Sequence, residues 1–530
     1  MGRSVVPVVA VAQAPGKIAP MALFQSILTL LLLSVLLLQA SRRLHIPYPT
    51  MLAVAGLLVA ALPWAAALTF DPGLALALFI APAILNSAYD FPLRAIRTYW
   101  VSLLTLAVVA VLVTTSVVAW AGVAFAGLPV AAAVVLGSIV SPPDAAAAAA
   151  MLSRPDIPRS TVTVLKGESL LNDAVALLIF GVALEVATDG GPVSHALPRL
   201  ALAIPGGLLL GFVTGRIGGV LIKFLVGTLG CILFQFLFTF TTWMLAERLG
   251  LSPILAVVAA AMTAAQRDSP MSALDRIHSN AVWVVVVFVL NVMAFLFVGL
   301  EARGIVRSLP PEQLRHDLQF AGLVLALVIV VRIVLVMTYN RAIQRILRHF
   351  RPGRGPSLKQ GIVASWCGMR GMVTLAAALA LPAGFPQRDM VVLSALAVVL
   401  GTLVLQGATL EPLIRLLKFP EDGSHEAEKA RVRVLLTQSA MALLQDRDDE
   451  IAKQLRYEFE LDLADQREPG RRPGRLDGLR VDAIALQREL LRRMRHECQV
   501  EDEVYRALEQ ELDLHELAST RKLQLELIDS

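Results

Sequence analysis

The chain has 530 residues, of which 56% are hydrophobic and 17% charged, and its mean hydropathy is +0.67. Soluble globular proteins carry about 25% charged residues, so the three or four water-soluble domains that length alone would suggest are excluded. The net charge of +5 is a sum of opposites: residues 421–530 hold 26 acids and 18 bases (net −8), leaving 16 acids and 29 bases (net +13) in the first 420. A long apolar part in lipid and a charged part in water are implied.

The bases of the first part are scattered between apolar runs rather than clustered on one face, which argues against a nucleic-acid partner. Cys231, Cys367 and Cys498 stand far apart with no CxxC, which excludes a zinc ribbon, an iron–sulfur site and a disulfide framework. There is no HExxH, no Walker phosphate loop and no dinucleotide-type GxGxxG. No cofactor is expected, and no enzymatic activity.

In chain order, residues 4–14 are apolar but too short to span, and the run from Met21 is long enough for a first membrane helix. Spans of mainly apolar residues then predict thirteen helices, near 21–40, 50–68, 72–90, 99–121, 126–151, 161–185, 200–222, 228–246, 252–266, 280–300, 319–340, 360–382 and 390–414. With the N-terminus outside and the C-terminus in the cytoplasm, inside loops hold seventeen Lys and Arg and outside segments eight, as the excess of cytoplasmic bases requires. The expected organisation is an extracytoplasmic segment 1–20, a transmembrane domain 21–418 and a cytoplasmic tail 419–530. The tail reads as two amphipathic helical stretches, 424–466 and 476–526, broken at Arg467-Glu-Pro-Gly-Arg-Arg-Pro-Gly474.

Seven ionisable residues fall well inside the spans: Asp144, Lys166, Glu168, Asp173, Arg216, Arg332 and Arg370. A charge at the bilayer centre costs about 2.5–3.5 kcal/mol, so such groups are functional candidates unless they merely pair with one another. Arg216, close to a span end, fits a structural, snorkelling role. In Gly167-Glu-Ser-Leu-Leu-Asn-Asp173, Ser169 and Asp173 share one helical face, while Glu168 and Asn172 share another. The first face offers a carboxylate with a hydroxyl, hard oxygen donors suited to an alkali cation. Burial disfavours a bare carboxylate, so Asp173 can hold a proton or a metal cation but hardly both, and that competition is the chemistry of an exchanger. Lys166, seven residues earlier, lies nearly on the same face.

Asp144 follows two prolines in Ser141-Pro-Pro-Asp144, which cannot continue a regular helix. A second break is predicted at Cys367-Gly-Met-Arg-Gly371, in span twelve. Spans five and twelve are each the middle of a three-helix set, and interrupted helices at matching positions of two inverted repeats point to a transporter's midplane site. Asp144 and Arg370 would offset the opposed half-helix partial charges there. The fold class is therefore all-α, a polytopic membrane protein with inverted repeats and two interrupted crossing helices, plus the helical tail.

Together, Gly167-Glu-Ser-Leu-Leu-Asn-Asp-Ala174, Ser141-Pro-Pro-Asp144, Gly368-Met-Arg-Gly371, Leu290-Asn291 with Phe297-Val-Gly-Leu300, and Gln406-Gly407 resemble the monovalent cation:proton antiporter-1 family, the sodium/proton exchangers, in its bacterial branch. The resemblance runs in order over roughly 20–415. It implies a homodimer of thirteen-helix protomers in the bacterial inner membrane, in contact with lipid, each with a dimerisation domain and a mobile core. It further implies that Asp173 carries the cation or proton, with Ser169, Asp144 and the carbonyl of Pro143 as further cation ligands. Asn172 resembles the residue that marks electroneutral exchange, and Glu168 and Arg370 an internal ion pair. Three positions depart from the pattern: Pro143-Asp144-Ala145 replaces Thr-Asp-Pro, Asn86 stands where the third span often has an acid, and Lys166 where relatives often have one. Asn86, Lys166 and Arg332 are thus candidate modulators. The expected activity is exchange of Na⁺, K⁺ or Li⁺ for H⁺. The rival readings are an intramembrane aspartyl protease using Asp144 and Asp173, which lacks the Tyr-Asp and Gly-x-Gly-Asp motifs of that class, and a non-transporting sensor homologue.

Overall fold

A computed structural model of the chain describes residues 20–44, 48–60, 72–89, 91–144, 157–190, 193–228, 230–265, 273–350 and 357–419 of the apolar part, and 424–445, 447, 449–467, 475–497, 499 and 502–519 of the tail. The predicted N-terminal segment 1–20 falls almost wholly outside them, as do Ala145 and the rest of the fifth span to 151. Every regular element among the described residues is a helix.

The apolar part opens with α1 (Pro20–Leu44), α2 (Tyr48–Ala60) and α3 (Pro72–Tyr89). Next come α4 (Leu93–Leu104), kinked at Tyr99 (φ −114°, ψ 18°), a π-helical turn (Thr105–Val109) and α5 (Ala110–Ala126), which follow one another without a loop and exceed the predicted span 99–121. Helix α5 ends on Gly127 at φ 62°, a left-handed conformation that costs glycine nothing. Helices α6 (Val130–Val140), α7 (Arg159–Asp189), α8 (Val193–Leu221), α9 (Gly230–Arg248) and α10 (Pro253–Ala265) follow, then the long α11 (Ala273–Ser308) and α12 (Pro311–Phe350). The set closes with α13 (Leu358–Trp366), α14 (Met372–Leu379) and α15 (Arg388–Leu417). Among the described residues, seven helices are long and apolar enough to cross a membrane. The eleven residues of α6 and the nine and eight of α13 and α14 give about 12–17 Å each, too short to cross alone. Helix α13 starts from a capping box, Ser357 Oγ accepting from Gln360 N at 3.2 Å and Gln360 Oε1 from Ser357 N at 2.6 Å.

In lipid, apolar surface does not drive helices together, so close packing must. Helix α8 shows how: Gly207, Gly211 and Gly215 repeat every four residues, and a Cβ on any of them would strike a backbone carbonyl of the Ser252–Ala260 stretch. Arg216, one residue on, is exposed with its guanidinium 5.0 Å from the Phe212 ring centre, in keeping with a structural role. Helices α6 and α7 pack together, α5 lies against α6, and α12 against α15. Of the seven long helices α15 is the most enclosed, and nearly every residue of the short α14 is buried.

The tail, 420–530, is a separate compact unit. It holds four helices, α16 (Ser424–Leu443), α17 (Glu450–Arg467), α18 (Arg475–His496) and α19 (Asp502–Ser519), where the pattern predicts two. The first stretch breaks because Asp449 caps a new helix, its Oδ1 accepting from Ala452 N at 2.6 Å, and Arg456 donates to the freed Leu444 carbonyl at 2.6 Å. The second is two helices, the first ending at His496 and the next starting at Asp502, and α18 pairs with α19 through Arg488, which meets Asp513 at 2.5 Å and Glu516 at 2.7 Å. Those two carboxylates hold the Arg488 guanidinium above its usual range.

Candidate functional site

Pro142 and Pro143 carry no N–H, so Ser138 O takes the Ser141 hydroxyl at 3.0 Å in place of an amide, and the carbonyls from Ile139 onward are left to donors from elsewhere in the fold. The second break supplies the donors. Thr374 Oγ1 donates to Ile139 O at 2.9 Å, Arg370 Nε to Val140 O at 2.8 Å, and an Arg370 terminal nitrogen to Ser141 O at 3.1 Å. The other terminal nitrogen of Arg370 donates to Gly368 O, within its own break. In return Asp144 N donates to Met369 O at 2.7 Å. The two interruptions are therefore stitched to each other, backbone to backbone and through one arginine.

Arg370 is 1% exposed, and its backbone N–H donates to Thr402 Oγ1 of α15 at 3.0 Å. Gly371 begins α14 without a side-chain cap, and a Cβ there would run into the Asp144 carboxylate. That carboxylate thus lies against the N-terminus of α14, where the unpaired N–H groups and the helix dipole favour negative charge. Arg370, conversely, sits on the carbonyl end of α6. Each charge faces the half-helix end it suits.

The predicted pairing of Glu168 with Arg370 is corrected. Glu168 on α7 pairs instead with Arg332 on α12 in a two-pronged bridge, one nitrogen–oxygen contact very short and the other 3.0 Å. The side chains are 1% and 4% exposed. The reason is geometric: the guanidinium of Arg370 is spent on carbonyls of the crossing, whereas the Arg332 fork meets the carboxylate in plane and donates also to Ala364 O at 3.2 Å. Gly368 leaves room for this pair, since a Cβ there would press on the Arg332 stem. Arg332, set down as a modulator, is the counter-ion.

Helix α7 brings the remaining residues to the crossing. Asn172 is fully buried and its Nδ2 donates to Pro143 O at 3.4 Å, while its Oδ1 has no hydrogen-bond partner among the described residues. Asp173, next in sequence, is 9% exposed and near enough to Asp144 for the two carboxylates to repel. Ser169, one turn back, is half-buried and Lys166 exposed. Asn86 is half-buried on α3, with no hydrogen bond or ion pair among the described residues. The site thus unites Asp144, Pro143, Asn172, Asp173 and Arg370. Sequence reasoning passed over Thr374 and Thr402, whose hydroxyls serve backbone atoms of the breaks; the only signal was a buried threonine beside each motif. It passed over Met369 entirely, which acts through its carbonyl.

Comparison with known proteins gives the same frame. An uncharacterized Na⁺/H⁺ exchanger of Mycobacterium tuberculosis is 28% identical over 510 residues, covering 90% of this chain and 92% of the relative. A sodium, potassium, lithium and rubidium/H⁺ antiporter of Bacillus subtilis is 27% identical over 391 residues, covering 68% and 56%. The fold resembles that of a sodium proton antiporter from Methanocaldococcus jannaschii, with a TM-score of 0.58 at 16% identity over 76% of this chain and all of the other. Residues 27–416 match the model of the transmembrane sodium/hydrogen exchanger family, and the chain, a multi-pass membrane protein, belongs to that family.

Proposed function

We propose that this protein exchanges Na⁺, K⁺ or Li⁺ for H⁺ across the bacterial inner membrane, one for one. The observation that carries the reading is a count of buried charge at the stitched crossing. Glu168 and Arg332 cancel. Arg370 and Asp144 have opposite signs and face opposite half-helix ends. Asp173, 9% exposed, is left as one carboxylate without a matching base among the described residues. A low-dielectric site does not tolerate a bare charge, so Asp173 binds a proton or a cation in turn. Asn172 beside it is neutral, so the site takes a single positive charge. The cation ligands are the Asp173 carboxylate, Ser169 Oγ, the Pro143 carbonyl and Asp144, hard oxygens that suit an alkali ion.

One charge each way removes the membrane-potential term, which otherwise weighs about 2.3 kcal/mol per charge per 100 mV. The two ion gradients alone then set the direction, and no cofactor is needed. Residues 21–418 form the transport domain of a homodimer, with 1–20 outside and 419–530 in the cytoplasm. This orientation follows the distribution of Lys and Arg in the loops. The relatives' names support exchange and lend nothing to the aspartyl-protease reading.

The test uses everted membrane vesicles loaded with a pH-sensitive dye. Adding Na⁺, K⁺ or Li⁺ dissipates an acid interior for the wild type, at a rate unchanged when the potential is clamped, and Asp173→Ala abolishes the response. No response from the wild type, or an equal one from Asp173→Ala, refutes the proposal.

A further inference from the structure

The crossing does not use Lys166, yet that residue lies on the helical stripe that leads to Asp173. On α7, seven residues turn through about 700°, so Arg159, Lys166 and Asp173 lie almost in line, with Ser169 flanking them. Exposure falls along this stripe. Arg159 and Lys166 are exposed, Ser169 is half-buried and Asp173 is 9% exposed, with Asn172 beside it at zero. Such a gradient marks the side from which water and ions reach the carboxylate, namely the Arg159 end of α7. Lys166 has no hydrogen bond or ion pair among the described residues.

We infer that Lys166 sets the cation affinity of the transport site from outside its ligand set: an ammonium in the approach to Asp173 that weakens the binding of every monovalent cation arriving from that side. The inference rests on the exchange reading above and deepens it. The physical reason is simple repulsion. Two helical turns separate the residues by about 10 Å along the axis. At that distance a unit charge, in an effective dielectric between about 20 and 80, changes the binding of a second one by about two- to fifteen-fold. A point charge does not sense ion radius, so Na⁺, K⁺ and Li⁺ feel the same factor. The residue sets how much cation is needed, and the ligand oxygens at Asp173 set which cation wins.

The consequence is a carrier tuned to high cation concentration at that face. It stays slow until the cation accumulates, and turns over at full speed once it has, because Lys166 touches neither the ligands nor the crossing.

The experiment measures initial rates in everted vesicles, whose outer surface is the cytoplasmic face, as a function of Na⁺, K⁺ and Li⁺ for the wild type and for Lys166→Gln, Lys166→Glu and Lys166→Arg. At a pH high enough that protons do not compete at Asp173, Lys166→Gln lowers KM for all three cations by the same factor, within two- to fifteen-fold, and leaves the maximal rate unchanged. Lys166→Glu lowers KM by about the square of that factor, and Lys166→Arg keeps the wild-type value. Unchanged KM in both Gln and Glu variants overturns the inference. So does a fall in maximal rate without a change in KM, which marks a structural lysine. KM changes that differ among the three cations also overturn it, because they mark a ligand rather than a remote charge. Absence of exchange in the wild type is a different outcome: it removes the exchange reading, and this inference with it.

Discussion

Replacing Arg332 with methionine strands Glu168. The carboxylate is 1% exposed and takes two contacts from the Arg332 fork, so Arg332→Met removes its counter-ion and leaves no water to replace it. Breaking one side of a buried pair costs about 3–5 kcal/mol, whereas replacing both partners with neutral groups of similar volume is close to neutral. The double variant Glu168→Gln/Arg332→Met is therefore expected to recover most of the loss, giving a coupling energy of about 2–4 kcal/mol. Arg370→Met combined with Glu168→Gln should be nearly additive, since Arg370 spends its donors on the carbonyls of Val140, Ser141 and Gly368. The measurement is unfolding of purified protein in mixed micelles, followed by helical circular dichroism, for the wild type, the two single variants and the double variant of each cycle. A larger coupling between Glu168 and Arg370 than between Glu168 and Arg332 would refute the pairing and the charge count built on it.

Gly371→Ala is expected to keep the protein in the membrane at normal abundance while reducing exchange at least tenfold, because the added methyl collides with the Asp144 carboxylate at the start of α14. Overpacking of this kind costs about 1–3 kcal/mol, and vesicle assays normalised to protein amount measure the loss. Glu301→Gln breaks a 2.6 Å bridge to Arg388 whose partners are 18% and 19% exposed. Partial solvation limits the effect to about 1 kcal/mol or less in the same micelle unfolding experiment, and a loss above 2 kcal/mol would show the bridge to be dry.

What was legible in the sequence was whatever a missing or misplaced group announces. Pro142-Pro143 has no N–H to offer, so a helix had to stop there, and α6 ends at Val140. The charges buried in apolar runs announced themselves by their cost, and all of Asp144, Glu168, Asp173, Arg332 and Arg370 lie at or beside the crossing. Partner choice was not legible. Two arginines were available to Glu168, and only the orientation of α12 against α7 decides between them. Roles played through backbone atoms were invisible as well: Thr402 and Thr374 are ordinary small residues until the amide or carbonyl they bond is seen. In the tail, Gln445-Asp-Arg-Asp-Asp449 contains neither glycine nor proline, so the amphipathic pattern ran through it. The Asp449 cap, three residues before Ala452, was the signal that went unread.

The carbonyl of Pro143, which Asn172 meets at 3.4 Å, bears on how such a site endures mutation. A ligand supplied by the main chain belongs to a position and not to a residue type. Drift at 143 can exchange a hydroxyl-bearing side chain for a pyrrolidine ring without deleting that oxygen. Selection is then free to retune the residues around it, and lineages can diverge in ion preference while inheriting the same oxygen at the centre.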